Sequence, residues 1–383
     1  MAGVAEKARF YLERSDEIRT IVQKRNDHEH RVLSPGNTPF EWSTYVKWEQ
    51  SLENLRSKRC RRLRVHHLNS AHAGQGRVFS IYERAVNRHP GSSELWKEYL
   101  SYAASVKAAK RWRKTMTKAL RMMPTDVDLW VIAGRRSARH GDMAAARGFF
   151  MRGCRFCTKD CQLWIEYAKS EMEWLVKVDQ RKNEKKGADA LRPDRVDDDD
   201  ELRIVDSEDD DDDNDDGNIL PEPSRAQANV IDKQASAQLK SNPAMDGAIP
   251  MAIYDIAQKQ AFFTPEVAES FFLLFSSFKT LSTQPTISQH VLDSLNKAYP
   301  NHPSTCNCYI REPIHGLQTN TADFARGLRT VLARLGDKLD VTTDKIELGR
   351  KTAAWIDGYL ALGGLDDGIR QVLELTRGKL ELA

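Results

Sequence analysis

The chain has 383 residues, with 58 Lys or Arg against 55 Asp or Glu, 30% of its residues charged and six cysteines. No apolar run approaches the roughly 18 residues needed to cross a bilayer, Met1 to Phe10 lacks the apolar core of a secretory signal, and so few cysteines in so long a chain argue against a disulfide framework. The net charge of +3 conceals a division: fifteen acids against two arginines between Asp194 and Asp216 give that stretch −13 and leave +16 on the rest. A basic remainder suits a phosphate-rich partner, an acidic protein surface, or simply solvated helix faces.

In chain order, Val4 to Leu33 reads as a helix that closes at the breaker cluster Ser34-Pro35-Gly36-Asn37. Thr38 then suits an N-cap and Pro39 the first helical position of a helix carrying Trp42, Tyr45 and Glu49. Beyond it lies a basic run, Arg56, Lys58, Arg59, Arg61, Arg62 and Arg64, followed by a His- and Gly-bearing stretch to Gly76 that reads as a loop off the edge of a repeat. Six cations in nine residues could neutralise several phosphates and release their counterions. The same run suits an import signal, a solvated helix end or an acidic protein partner, and no aromatic residue interleaves with it as in a base-stacking platform.

From Ala85 to Tyr167 three features recur every thirty-four residues. Leu95-Trp96 returns as Leu129-Trp130 and Leu163-Trp164; Tyr82 to Ala85 ending at Pro90 is matched by Met116 to Ala119 ending at Pro124; Tyr99 recurs as Ala133 and Tyr167. A fixed period of this length marks a solenoid of antiparallel helix pairs, in which each unit buries its apolar face by stacking on neighbours. Because Trp96, Trp130 and Trp164 share one phase, they read as core between helices. Within this stretch Cys154, Cys157 and Cys161 lack a second matching pair and read as small packing residues, as do Cys306 and Cys308.

Aromatic residues vanish from Gly187 to Pro243 while acids cluster, a composition that cannot bury enough surface to offset ordering entropy. The expectation is a disordered acidic insertion, with Ser207 ahead of Glu208-Asp209-Asp210 placed as an acid-directed kinase would require. Helical patterning resumes at Ala244. Ile253-Tyr254-Asp255-Ile256-Ala257 copies Ile81 to Ala85, Pro265 to Phe278 supplies the next first helix, and Ile287 to Ala298 another second helix ending at Pro300. Cys306 then stands at the Trp position and Tyr309 at the Tyr position. Helices over Thr321 to Leu335, Lys345 to Leu360 and Leu365 to Leu380 complete the chain.

The predicted fold is all-α: an α-solenoid of helix pairs interrupted by the acidic insertion, with an N-terminal helical segment (1–35), a repeat array (36–186), the insertion (187–243) and a C-terminal array (244–383). Its repeat-defining core is Trp42, Tyr45, Tyr82, Ala85, Pro90, Trp96, Tyr99, Ala119, Pro124, Trp130, Trp164, Tyr167, Tyr254 and Ala257. No phosphate loop, nucleophile elbow or His-Glu-x-x-His is present, so no catalytic, cofactor, metal or small-molecule site is expected.

The Leu-Trp-x-x-Tyr first helix, followed by a Tyr-Glu-Arg-Ala type second helix and a Pro, resembles the half-a-tetratricopeptide (HAT) family, which implies a scaffold for RNA-processing assemblies. A narrower resemblance rests on Lys7 to Glu13, Ile18 to Val22 with Lys24-Arg25, Phe40-Glu41-Trp42 with Tyr45, His140 to Met143 with Ala146-Arg147, Arg152 to Cys157, Ile253 to Ala257, Gln289 to Asp293 and Cys308 to Pro313. Together these are similar to the U3 small nucleolar RNA-associated protein 6 family. Only Arg14, Ser15, Asp16 and Glu17 intervene here between Glu13 and Ile18, where that family has a longer charged stretch. The resemblance implies a nucleolar subunit of the UTP-B subcomplex of the small-subunit processome, alongside beta-propeller subunits, U3 small nucleolar RNA and pre-ribosomal RNA. Another RNA machine, such as splicing or messenger RNA cleavage and polyadenylation, is the alternative.

Overall fold

The computed structural model describes residues 2–62, 72–189, 220, 247–319, 321–362 and 365–381. Among these residues there are fifteen helices and no strand, so the all-α helical-repeat class is as expected. The described residues up to Leu129 form one compact unit, and those from Trp130 onward, apart from Leu220, another. The acidic stretch and Ser207 lie outside the described residues.

In the first unit, α1 (Ala2–Leu33), α2 (Pro39–Arg62) and α3 (His72–Arg88) come together through charges as much as apolar surface. Glu49 on α2 is buried and accepts hydrogen bonds from Arg25 on α1 and from Arg77 on α3. Glu29 on α1 accepts from both terminal nitrogens of Arg84, at 2.9 and 2.7 Å, and from the Tyr45 hydroxyl. The Arg84 bonds hold the Glu29 carboxyl below its ordinary range. Such pairing explains how α1 docks although its Ile18 and Val22 remain exposed. At the start of α2, the Thr38 backbone N–H donates to Glu41, one half of a capping box.

The helices α4 (Ser93–Ser105) and α5 (Ala109–Met122) follow as a pair. Tyr82 stacks face to face on Tyr99 with ring centroids 5.0 Å apart, and the Trp96 indole N–H donates to the Pro90 carbonyl. The repeat's proline is thus half-buried at the turn, and its carbonyl is what anchors the buried tryptophan.

In the second unit the helices are α6 (Val127–Arg139, which begins in the first), α7 (Met143–Phe156), α8 (Gln162–Asp189), α9 (Ala248–Gln258), α10 (Pro265–Ser276), α11 (Gln284–Ala298), α12 (Pro303–Arg311), α13 (Ala322–Val341), α14 (Lys345–Leu360) and α15 (Asp367–Glu381). Trp130 stacks on Phe156 and Phe150 on Tyr167, repeating the aromatic layer of the preceding pairs. Trp164 meets Phe262, and the Ser282 hydroxyl donates to Asp179 at 3.2 Å. Helices on either side of the acidic stretch, α8 with α9 and α10, therefore pack in one unit. The last helices share a core of Ile310, Phe324, Leu328, Val331, Leu348, Ile356 and Leu373.

The loop between helices repeats as faithfully as the core. Lys107 and Gly141, thirty-four residues apart, both take positive φ, at 60° and 88°. Each closes the same helix C-terminal motif: Ala108 N–H donates to Ala103 O and Lys107 N–H to Ala104 O, as Asp142 does to Ser137 and Gly141 to Ala138. Asp142 then caps α7 by accepting from the Ala145 N–H, whereas Ala108 at the same phase has no side chain to offer α5.

Some details depart from expectation. His72 to Gly76 is helical, being the first turn and more of α3. The α8 helix runs to Asp189, past the expected start of the insertion at Gly187, through a Glu184-Lys185-Lys186 run of good helix formers. Cys306 is buried at the Trp position, but Tyr309 is 37% exposed, its ring covered by Arg334 at 4.3 Å and Lys338 at 5.0 Å.

Candidate nucleic-acid interface

The basic run sits at the end of α2 as a continuation of the helix. Its cations differ in what they face. Arg56 is half-buried and grips Glu53 one turn earlier, through Nε at 2.9 Å and Nη2 at 2.7 Å. Arg59 makes a two-pronged pair with Glu17 of α1, at 2.6 and 3.1 Å. Two of the six charges are therefore matched by carboxylates of the fold. Lys58, Arg61 and Arg62 are exposed, and helical spacing places these three on one face, with Arg61 reaching the Ser57 hydroxyl at 3.4 Å. Arg64 lies outside the described residues.

The helix α5 carries a second basic surface that inspection for contiguous charge runs passes over. Between Tyr99 and Thr125 there are seven Lys or Arg and no acid. Lys110, Arg111, Arg113, Lys114, Lys118 and Arg121 are all exposed, while Trp112, Met116, Ala119 and Leu120 are buried. At about 100° per residue, every one of these exposed cations except Arg113 falls within about 100° of the helix circumference, opposite the buried face. The Arg111 guanidinium lies over Phe79 at 4.5 Å and 3.7 Å from Glu83, and Lys118 donates to the neutral side-chain carbonyl of Asn87 at 2.6 Å. The absence of acids, together with this phase, is the signal in the sequence that could have found it.

In the second unit α6 and α8 enclose a cavity of about 240 Å³ lined by Arg135, Arg139, Lys169, Glu173, Trp174 and Lys177, in which Arg135 is paired with Glu166. Every repeat-defining core residue is buried, apart from the half-buried Pro90 and Pro124, so none offers a surface for recognition. Cys154, Cys157, Cys306 and Cys308 are buried and Cys161 partly so, and burial pushes the Cys154 and Cys308 thiols up. Among the described residues no group of three or more His, Cys, Asp or Glu could hold a metal ion, and no helix is long and apolar enough to cross a membrane.

Residues 11–81, which run from α1 to the middle of α3, match the family model for U3 small nucleolar RNA-associated protein 6. The chain is 28% identical over 193 residues to U3 small nucleolar RNA-associated protein 6 of Schizosaccharomyces pombe, a stretch that is 46% of this chain and 40% of that protein. It is 24% identical over 183 residues to the U3 small nucleolar RNA-associated protein 6 homolog of Homo sapiens, covering 46% of this chain and 31% of that protein. The matched stretch thus spans less than half the length of either relative. By family model and by relatives alike, this all-α chain is similar to the U3 small nucleolar RNA-associated protein 6 family.

Proposed function

We propose that this chain is a non-catalytic scaffold subunit acting in early nucleolar ribosome biogenesis, within the UTP-B subcomplex of the small-subunit processome, in support of U3-dependent processing of pre-ribosomal RNA. The observation that carries the reading is the match of residues 11–81 to the U3 small nucleolar RNA-associated protein 6 family, joined to relatives of that name. The architecture supports it physically. Stacked helix pairs within each unit expose surfaces suited to shape-matched partners. The partners in this reading are beta-propeller subunits and other processome proteins, with U3 small nucleolar RNA and pre-ribosomal RNA bound directly or through them. The place of action is the nucleolus.

Affinity purification of the tagged full chain from its own cells tests this. U3 small nucleolar RNA, ribosomal RNA precursor and beta-propeller proteins are the expected companions. Recovery of spliceosomal RNA or of cleavage and polyadenylation factors in their place would overturn the assignment in favour of another RNA machine.

A further inference from the structure

We propose that the cationic stripe of α5, centred on Lys110, Lys114 and Lys118, is a docking surface for the phosphate backbone of RNA. The choice of RNA as the polyanion rests on the proposed role above; the surface itself rests on the charge and geometry of α5.

An ordinary solvated helix face mixes signs, because opposite charges one turn apart stabilise a helix and like charges destabilise it. Here Lys110, Lys114 and Lys118 follow one another at four-residue steps with no acid from Tyr99 to Thr125, so the stripe works against the stability of its own helix. The contrast with α2 is direct. There Arg56 and Arg59 are taken up by Glu53 and Glu17, whereas on α5, where Arg111 has the Glu83 carboxylate beside it at 3.7 Å, Lys118 donates to the neutral Asn87. Among the described residues no ion pair reaches Lys110, Lys114 or Lys118, and this row of ammonium groups on a helix of 14 residues, about 21 Å long at 1.5 Å per residue, is matched by a chain of phosphates.

The composition of the stripe argues against an acidic protein as its occupant. Protein interfaces are depleted in Lys and enriched in aromatic anchors, and the one aromatic residue of α5, Trp112, is buried on the opposite face. With no exposed ring on the stripe there is no platform for base stacking, so the contact reads backbone charge and carries no base preference.

The test uses the full chain with Lys110→Gln, Lys114→Gln and Lys118→Gln combined, a change that keeps helix propensity. The control Arg329→Gln, Lys345→Gln and Lys379→Gln removes the same charge from exposed positions of α13, α14 and α15 in the second unit. Binding of a labelled RNA hairpin is followed across a salt titration, with polyglutamate as a competing polyanion and helix content monitored by circular dichroism. The expected result is a log–log salt slope shallower by roughly two to three units for the α5 variant, in line with loss of three phosphate contacts. The second-unit control should stay near wild type, and polyglutamate should displace the hairpin only at charge concentrations above those at which an unlabelled RNA of unrelated sequence does. An unchanged slope in the α5 variant, or equal losses in both variants, would overturn the proposal, as would loss of one protein companion with RNA affinity retained.

Should the triple variant lose helix content, ultraviolet crosslinking of the wild-type chain to the same hairpin decides: nucleotide adducts on α5 peptides support the surface, and adducts confined to other helices overturn it. Failure of this inference and of the proposed function are separable. U3 RNA retained by both wild type and variant, with hairpin binding unaltered, defeats the stripe alone. Hairpin binding through α5 by a chain that recovers no U3 RNA defeats the processome reading alone.

Discussion

Arg147 on α7 and Glu171 on α8 form a two-pronged ion pair with both side chains almost wholly out of water: Nε donates to Oε1 at 2.7 Å and Nη2 to Oε2 at 2.9 Å. Burial pushes the Glu171 carboxyl up, and the two hydrogen bonds from Arg147 oppose that rise. A pair of this kind holds two helices in register, because neither charge tolerates losing the other.

The single variant Arg147→Met should therefore cost about 3–5 kcal/mol by leaving Glu171 buried and unmatched. The double variant Arg147→Met with Glu171→Leu should recover most of that loss, since an apolar pair of similar volume has no desolvation to offset. Urea midpoints of the three proteins check it. Equal destabilisation of single and double variants would show that packing shape, and not the stranded charge, sets the cost.

Trp130 is fully buried, stacks on Phe156 and lies against the backbone of Gly153. Trp130→Ala should destabilise by about 3–5 kcal/mol, with any loss of assembly following only from loss of fold. Unchanged melting together with lost assembly would make Trp130 an interface residue.

The helix-terminating turn offers two gains. At Lys107 a side-chain-bearing residue holds the left-handed conformation that Gly141 holds one repeat later, so Lys107→Gly should stabilise by about 1 kcal/mol. Ala108→Ser supplies α5 with the cap that Asp142 gives α7, for about a further 1 kcal/mol. Thermal melting of the two single variants and their combination measures both. A lowered melting temperature for Lys107→Gly would mean that chain entropy outweighs the relief of strain.

His315 is largely buried between Arg311 and the carbonyl of Leu273, to which its Nε2 lies at 2.9 Å. Burial, reinforced by Arg311, lowers its pKa from 6.5 to about 4. The folded state thus takes up this proton less readily than the unfolded chain does. Its contribution to stability is complete above pH 6.5 and is lost as pH falls from there through about 4. Unfolding free energies from urea titrations at intervals between pH 7.5 and 4.5 should fall by on the order of 1–2 kcal/mol from this group, and His315→Gln should flatten that fall. Parallel pH profiles for wild type and variant would assign the acid sensitivity to other groups.

The surface roles were less legible than the core. A cation's neighbours depend on distance in space: Arg59 is neutralised by Glu17, forty-two residues away, and no feature of the run from Arg56 to Arg64 announces that partner. The α5 stripe is hidden for the opposite reason. Its charges are interrupted every few residues by Trp112, Met116 and Ala119, which are buried, so a surface continuous in space is broken up along the chain.

By itself the sequence determined the helix-pair repeat and the phase at which Trp96, Trp130 and Trp164 face the interior. A thirty-four-residue period in bulky apolar side chains leaves only one phase that can face inward, and exclusion from water acts alike in every repeat. Only the tertiary structure decided that α8 packs against α9 and α10 across the acidic stretch, that Tyr309 stays outside while Cys306 is buried, and which arginines keep their charge for a partner. Those outcomes turn on which helices meet and on which opposite charges arrive within hydrogen-bond reach, and a periodic pattern records neither.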